Sequence, residues 1–151
     1  MPEISIQQID FDVGIEIAQL RAIDRSIGAV ASFIGVVSDY NDNAEVQSLM
    51  LEHYPGMTEK TIATIIAEAK QRWPLLAVKV IHRIGELQRG DQLVFVGVAS
   101  RHRGAAFSAC EFIMDFLKTQ APFWKKEQTA SGERWVDARA TDSAALTRWR
   151  S

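Results

Sequence analysis

The residues best suited to chemistry in this chain are cations at the two ends of one amphipathic segment. His102 and Arg103 precede it, and Lys118, Lys125 and Lys126 follow its core. The stretch Phe112–Glu127, FIMDFLKTQAPFWKKE, reads as the last turns of a helix that stops at Ala121-Pro122, because proline disfavours helical backbone in the residue before it. Lys118 then projects from the end of a rigid helix, and Lys125 from the aromatic-basic connection beyond the break. At the other end, Arg101-His102-Arg103-Gly104 lies between a strand and a helix N-terminus. Free backbone N–H groups and the helix dipole there both favour an anion. A helix of about 17 residues is about 25 Å long, so its two ends cannot line one small pocket. Either something folds back or a second subunit completes the site, or the site is a long groove, or the two clusters are unrelated solvated charges.

The elements that must position these groups follow from hydrophobic periodicity. Ile4–Ile9 reads as a short edge strand, and Asp12 as the cap of a helix running to about Asp24, with Val13, Ile17, Ala18 and Leu20 inward. Gly28–Ser38 is almost wholly apolar, as expected of a strand covered on both faces. Asp39–Asn43 is turn chemistry, so Val46–Tyr54 is expected to pair antiparallel with that strand. A helix follows from about Thr58 to Trp73, with Ile62, Ile65, Ile66, Ala69 and Trp73 on one face. Val78–Ile84 alternates and places His82 among aliphatics, which fits a hydrogen-bonded, partly buried histidine. Gly85–Asp91 reads as a loop and Gln92–Ser100 as a central strand. The long helix spans about Gly104–Gln120, with Ala106, Ala109, Cys110, Ile113, Phe116 and Leu117 inward. Thr129–Gly132 is a turn, Glu133–Arg139 a strand, and Thr141-Asp142-Ser143 the cap of a short final helix ending at Trp149. Strands and helices mix without regular βαβ alternation, so the class is α+β.

Composition sets the bounds. A chain of 151 residues is expected to form a single domain, residues 1–151, and 47% apolar with 24% charged residues is ordinary for a globular protein. A formal charge of −2 and a pI near 5.9 argue against a general nucleic-acid binder. No signal peptide or membrane span is read, and Cys110 as the single cysteine suits a reducing, cytoplasmic setting. Its place on the apolar side of a helix makes Cys110 buried filler. Three histidines and one cysteine at scattered spacing give no metal motif, and no cofactor is expected.

Several blocks together carry a family resemblance: LEHYPGMTEKTI (51–62), RWP (72–74), VIHRIGEL (80–87), GD–VFVGVAS–HR (90–103), FIMDFLKTQAPFWKKE (112–127) and RWV-AR (134–139). From about Gly28 to Trp149 the chain resembles the molybdopterin synthase catalytic (large) subunit, the MoaE family. The resemblance implies an α/β-hammerhead type fold with an additional antiparallel β-subdomain. It implies a sulfurtransferase of molybdenum cofactor biosynthesis that converts cyclic pyranopterin monophosphate (precursor Z) to the molybdopterin dithiolene. Sulfur would arrive as a thiocarboxylate on the C-terminal Gly-Gly of a small ubiquitin-like subunit, whose tail inserts into the large one. Large subunits would form a homodimer within a heterotetramer. The family's two lysines correspond to Lys118 and Lys125, its His-Arg pair to His102 and Arg103, its acidic residue after the second lysine to Glu127, and the arginine of its final strand to Arg139. Phe33, Met114, Pro122 and Phe123 would wall the tail channel.

One position departs. Where the family usually has G-x-V-R, with the arginine holding anionic substrate, this chain has Gly35-Val36-Val37-Ser38. Losing a charge-assisted contact to phosphate costs about 1.5–3 kcal/mol, roughly ten- to a hundredfold in affinity. Weaker substrate binding is therefore expected at Val36-Val37-Ser38, or compensation by Arg101 or Lys126. An alternative follows, a member that binds the small subunit but converts substrate poorly.

Overall fold

The structure, a computed structural model, describes residues 2–38, 40–41, 44–130, 132–136 and 144–150. Strands β1 (Ile4–Gln7), β2 (Ala29–Val36), β5 (Leu75–Arg83) and β7 (Gln92–Ser100) form one sheet in the order β1-β5-β7-β2. Strands β3 (Tyr40–Asn41), β4 (Ala44–His53), β8 (Phe123–Thr129) and β9 (Gly132–Val136) form a second, with β6 (Gly85–Gln88) also pairing β4. The helices are α1 (Val13–Arg21), α2 (Met57–Arg72) and α3 (Arg103–Gln120), and a 3-10 turn spans Leu146–Trp149. The α+β reading holds.

The first sheet is covered on both faces, and strand alternation decides what each face meets. Val78, Val80, Val94, Val96 and Val98 pack under α2 and α3, against Ile62, Ile66, Phe112 and Ile113. Ala77, Ile81, Phe95 and Ala99 point the other way, to Leu20 of α1. Each fully buried large apolar side chain contributes about 1.5–3 kcal/mol. The Asp12 carboxylate accepts from the Ile15 backbone N–H at 3.0 Å, so the expected cap of α1 forms. At Gly97 an added Cβ would lie 2.5 Å from Leu20 Cδ1, so the missing side chain lets α1 sit close on β7.

Four expectations are corrected. The Gly28–Ser38 strand is the edge of its sheet and only partly covered: Ala29 and Ala31 pack under the helices on one face and Val30 and Ile34 toward α1 on the other, but Phe33 is 38% and Val36 51% exposed. Strand β4 does not pair with β2 but belongs to the second sheet, because the chain between them enters the short hairpin β3–β4. The glycine-bounded loop contains β6, whose Leu87 is fully buried against Leu49 and Leu51. The connection after α3 is itself a strand, β8, held between β4 and β9. A final 3-10 turn ends at Trp149 as expected; Asp39, Asp42, Asn43, Arg139 and the proposed cap Thr141-Asp142-Ser143 lie outside the described residues.

Candidate functional site

The site is built at the joint between the two sheets. Strand β5 ends at His82-Arg83, and Gly85, at φ +88°, turns the chain from the first sheet into β6 of the second. Arg83 fixes the start of that turn: its guanidinium donates to the backbone carbonyls of Gln8 and Gln92. On the other side of the joint, α3 ends at Gln120, and only Ala121 and Pro122 precede β8. The hydroxyl of Thr58, at the start of α2, donates to the Pro122 carbonyl at 3.0 Å and accepts from the Tyr54 N–H at 3.0 Å.

His82 and Phe123 close the joint. Their rings stack with centroids 3.8 Å apart and planes 17° from parallel. Phe123 packs both on the main core and on the cluster of Val37, Leu49, Leu51 and Leu87 beneath the second sheet. In the register of β8 against β4, Phe123 lies opposite His53 and Lys125 opposite Leu51. Residues two apart on a strand share a face, so Lys125 and Glu127 point to the same side as Phe123. Glu127 is buried, 5% exposed.

His82 is only 7% exposed, and its Nδ1 lies 2.9 Å from the Arg83 carbonyl oxygen. Burial pushes its pKa down to about 4, and the positive charges of Lys125, His53 and Lys118 add to that effect. Lys118 from α3 and Lys125 from β8 are thus both near enough for their charge to disfavour protonation of the ring. The expectation that His82 is hydrogen-bonded and partly buried is met, and its packing is tighter than alternation implied.

Other expected site residues sit elsewhere. Lys126 faces the opposite side of β8, where its ammonium pairs with Glu133 at 2.7 Å and lies 5.3 Å from the centre of the Trp135 ring. His102 and Arg103 are exposed at the N-terminal end of α3, about 23 Å along the helix from Lys118. Val37 is buried in the cluster that includes Phe123, its N–H donating to the Asp91 carbonyl, so the β2 end reaches the joint. Val36 and Ser38 on either side are exposed. Met114 is buried in the main core. Sequence reasoning did not identify His53 or Thr58. Both lie in the LEHYPGMTEKTI block, but their partners are far along the chain.

No group of three or more potential metal ligands occurs among the described residues, and no helix there is long and apolar enough to cross a membrane.

Comparison with known proteins places this geometry. The family profile described as MoaE protein matches residues 6–120. A molybdopterin synthase catalytic subunit of Ralstonia nicotianae is 64% identical over 149 residues, covering 99% of this chain and 85% of the relative. The protein of the same name from Pseudomonas aeruginosa is 58% identical and covers 97% of both chains. The solved structure of a molybdopterin biosynthesis MoaE protein from Burkholderia ambifaria superposes with a TM-score of 0.86 at 55% identity, covering 100% of this chain and 99% of that one. Sequence, fold and the blocks that build the joint thus agree, and the chain belongs to the MoaE family.

Proposed function

We propose that this chain is the catalytic subunit of a molybdopterin synthase, acting in molybdenum cofactor biosynthesis as a sulfurtransferase. It takes sulfur from the C-terminal thiocarboxylate of a small ubiquitin-like subunit and places it on cyclic pyranopterin monophosphate, forming the dithiolene. The observation that carries this reading is the 64% identity of this chain to a named catalytic subunit over 99% of its length, with Lys118 and Lys125 both near enough to the buried His82 to disfavour its protonation.

The chemistry suits the residues. A thiocarboxylate is anionic near neutral pH, so its sulfur needs positioning rather than activation. Sulfur attacks the substrate carbon, a C–O bond breaks, and the departing oxygen takes a proton to leave as water. Water then cleaves the acyl–sulfur bond, returning a carboxylate to the small subunit and leaving a thiolate on the pterin. Lys118 steers the thiocarboxylate and offsets charge on the acyl carbon during that hydrolysis. Lys125 serves as general acid or phosphate ligand, and Glu127, on the same face, orients it. His102, Arg103 and Arg139 join the phosphate site from a second copy, which would bring the His102-Arg103 end of one α3 to the Lys118 end of another. The protein works in the cytoplasm as a homodimer with one small subunit at each end.

Matched relatives are named catalytic subunits, which supports the enzyme rather than the weak-binding alternative that Ser38 suggested. The test is reconstitution with thiocarboxylated small subunit and cyclic pyranopterin monophosphate. Dithiolene product is expected; a stable complex without product would overturn the reading.

A further inference from the structure

The departing oxygen needs a proton, and imidazole is the side chain that ordinarily gives and takes protons near neutral pH. A lysine ammonium ordinarily holds its proton to about pH 10. The chain has three histidines, His53, His82 and His102. His82 is unsuited to carry this proton. Burial pushes its pKa down to about 4, its Nδ1 lies 2.9 Å from the Arg83 carbonyl oxygen, and its ring is stacked on Phe123. His102 stands at the opposite end of α3 from Lys118. His53 is the histidine left at the joint.

Its place there is set by backbone. His53 is the last residue of β4 and lies directly opposite Phe123, the first residue of β8. Opposed residues of two antiparallel strands point to the same face, so His53 shares the face of Phe123 and has Lys125 as its diagonal neighbour. Leu49 and Leu51, on that face of β4, are buried in the core; His53 comes where the strand runs out of core and is half-buried. The Thr58 hydroxyl fixes the spot. It accepts from the Tyr54 N–H and donates to the Pro122 carbonyl, tying the residue after His53 to the residue before Phe123. No hydrogen bond among the described residues takes up the His53 imidazole. The charged and titratable groups packed round it are Lys125 and Glu127 from β8, Lys118 from α3 and His82 from β5.

We propose that His53 is a catalytic residue of sulfur transfer, the acid that protonates the departing oxygen and the base that then takes a proton from water. This rests on the reading of the chain as a molybdopterin synthase, and it leaves Lys125 as a ligand of the phosphate. In the first step the thiocarboxylate sulfur bonds to the substrate carbon and the C–O bond breaks. The oxygen leaves as water with the proton of the His53 imidazolium. In the second step water adds to the acyl carbon and gives one proton to the now neutral His53. The acyl–sulfur bond breaks, sulfur stays on the pterin as a thiolate, and the small subunit's carboxyl group loses the second proton to solvent. Each transfer thus ends with His53 charged again.

The test is chemical rescue in the reconstituted reaction. His53→Gln keeps a polar side chain of similar length that cannot give up a proton. It is expected to lower kcat roughly a hundred- to ten-thousandfold with KM changed less than about threefold. His53→Ala opens space beside Phe123, and added imidazole is expected to raise its kcat at least about tenfold, an effect that a purely structural role would not produce. A folded His53→Gln with wild-type kcat overturns the proposal, as does a folded His53→Ala that imidazole does not rescue. Rescue of His102→Ala instead would place the proton on the other end of α3 and overturn it too. Melting curves show which variants fold. If neither His53 variant folds, the wild type decides: it is treated with diethyl pyrocarbonate and the modified histidines are read by mass spectrometry. Cyclic pyranopterin monophosphate together with the small subunit in its carboxylate form is expected to protect His53, and unchanged modification of His53 overturns the proposal. A wild type that makes no dithiolene would instead overturn the function on which it rests.

Discussion

The hydroxyl of Thr58 spans 64 residues of sequence to donate to the carbonyl of Pro122, at 3.0 Å. Thr58 is fully buried, and it also accepts from the N–H of Tyr54. One side chain thus ties the start of α2 to the break that separates the two lysines. Thr58→Val keeps the shape and strands both backbone groups, so about 1–3 kcal/mol of stability should be lost. For a chain of this size that is a fall of roughly 3–10 °C in Tm, measurable by thermal unfolding.

Lys118 is exposed at the end of α3. Lys118→Ala should therefore leave stability within about 0.5 kcal/mol of the wild type. On the role proposed for Lys118, dithiolene formation should fall at least about a hundredfold, because removal takes away a group that offsets developing charge. Unfolding curves together with single-turnover product assays check both halves of the statement. Wild-type turnover in this variant would sink the assignment.

His82 makes stability depend on pH. In the unfolded chain it takes up a proton near pH 6.5, but in the folded chain only near pH 4. Between those values the unfolded state binds more protons, so stability falls as pH drops from about 6.5 towards 4. The loss from this one group is on the order of 3 kcal/mol, and none of it is felt above pH 7. Urea unfolding from pH 4 to 7 should show the slope, and His82→Phe should flatten it by the equivalent of one proton.

Ser38 follows Val37, one residue beyond β2, whose packing includes Phe123. Since related chains are expected to carry an arginine there, Ser38→Arg should tighten binding of the phosphorylated substrate. The expected gain is about 1.5–3 kcal/mol, a ten- to hundredfold lower Kd. Calorimetric titration with cyclic pyranopterin monophosphate measures it directly. No gain would mean that other cations already satisfy the phosphate.

Gly97→Ala tests how closely α1 rests on the sheet. The new Cβ would lie 2.5 Å from Leu20 Cδ1 and 2.8 Å from ring carbons of Phe95. Overpacking of this kind costs about 1–3 kcal/mol. Denaturant unfolding should show a lower midpoint with an unchanged slope.

Much of the scaffold was legible where one physical signal dominated. Strand β7 was readable to its ends, because a continuous apolar run leaves no other way to bury it. The inner stripe of α3 and the Asp12 cap were readable for the same local reasons. Strand β8 was not, since Lys125 and Glu127 stand on its inward face, where alternation leads one to expect apolar residues. A site that needs charge inside hides its own strand. Strand β6 offered only Leu87 to bury, and the short link after β2 suggested a hairpin because local chemistry cannot say that a chain is changing sheets. The lysines were visible as types and spacing. The stack of His82 on Phe123 and the bond from Thr58 to Pro122 are contacts between distant segments that no local pattern encodes.

Only Ala121 and Pro122 separate α3 from β8, and the chain has no slack there. An inserted residue would turn every side chain of β8 to the other face and trade Lys125 for a neighbour. The turn at Arg89-Gly90 is exposed and lies between β6 and β7, but Gly90 holds φ +86° and its N–H donates to the Val37 carbonyl. The two-residue seam is where an engineer should leave the spacing of the backbone alone.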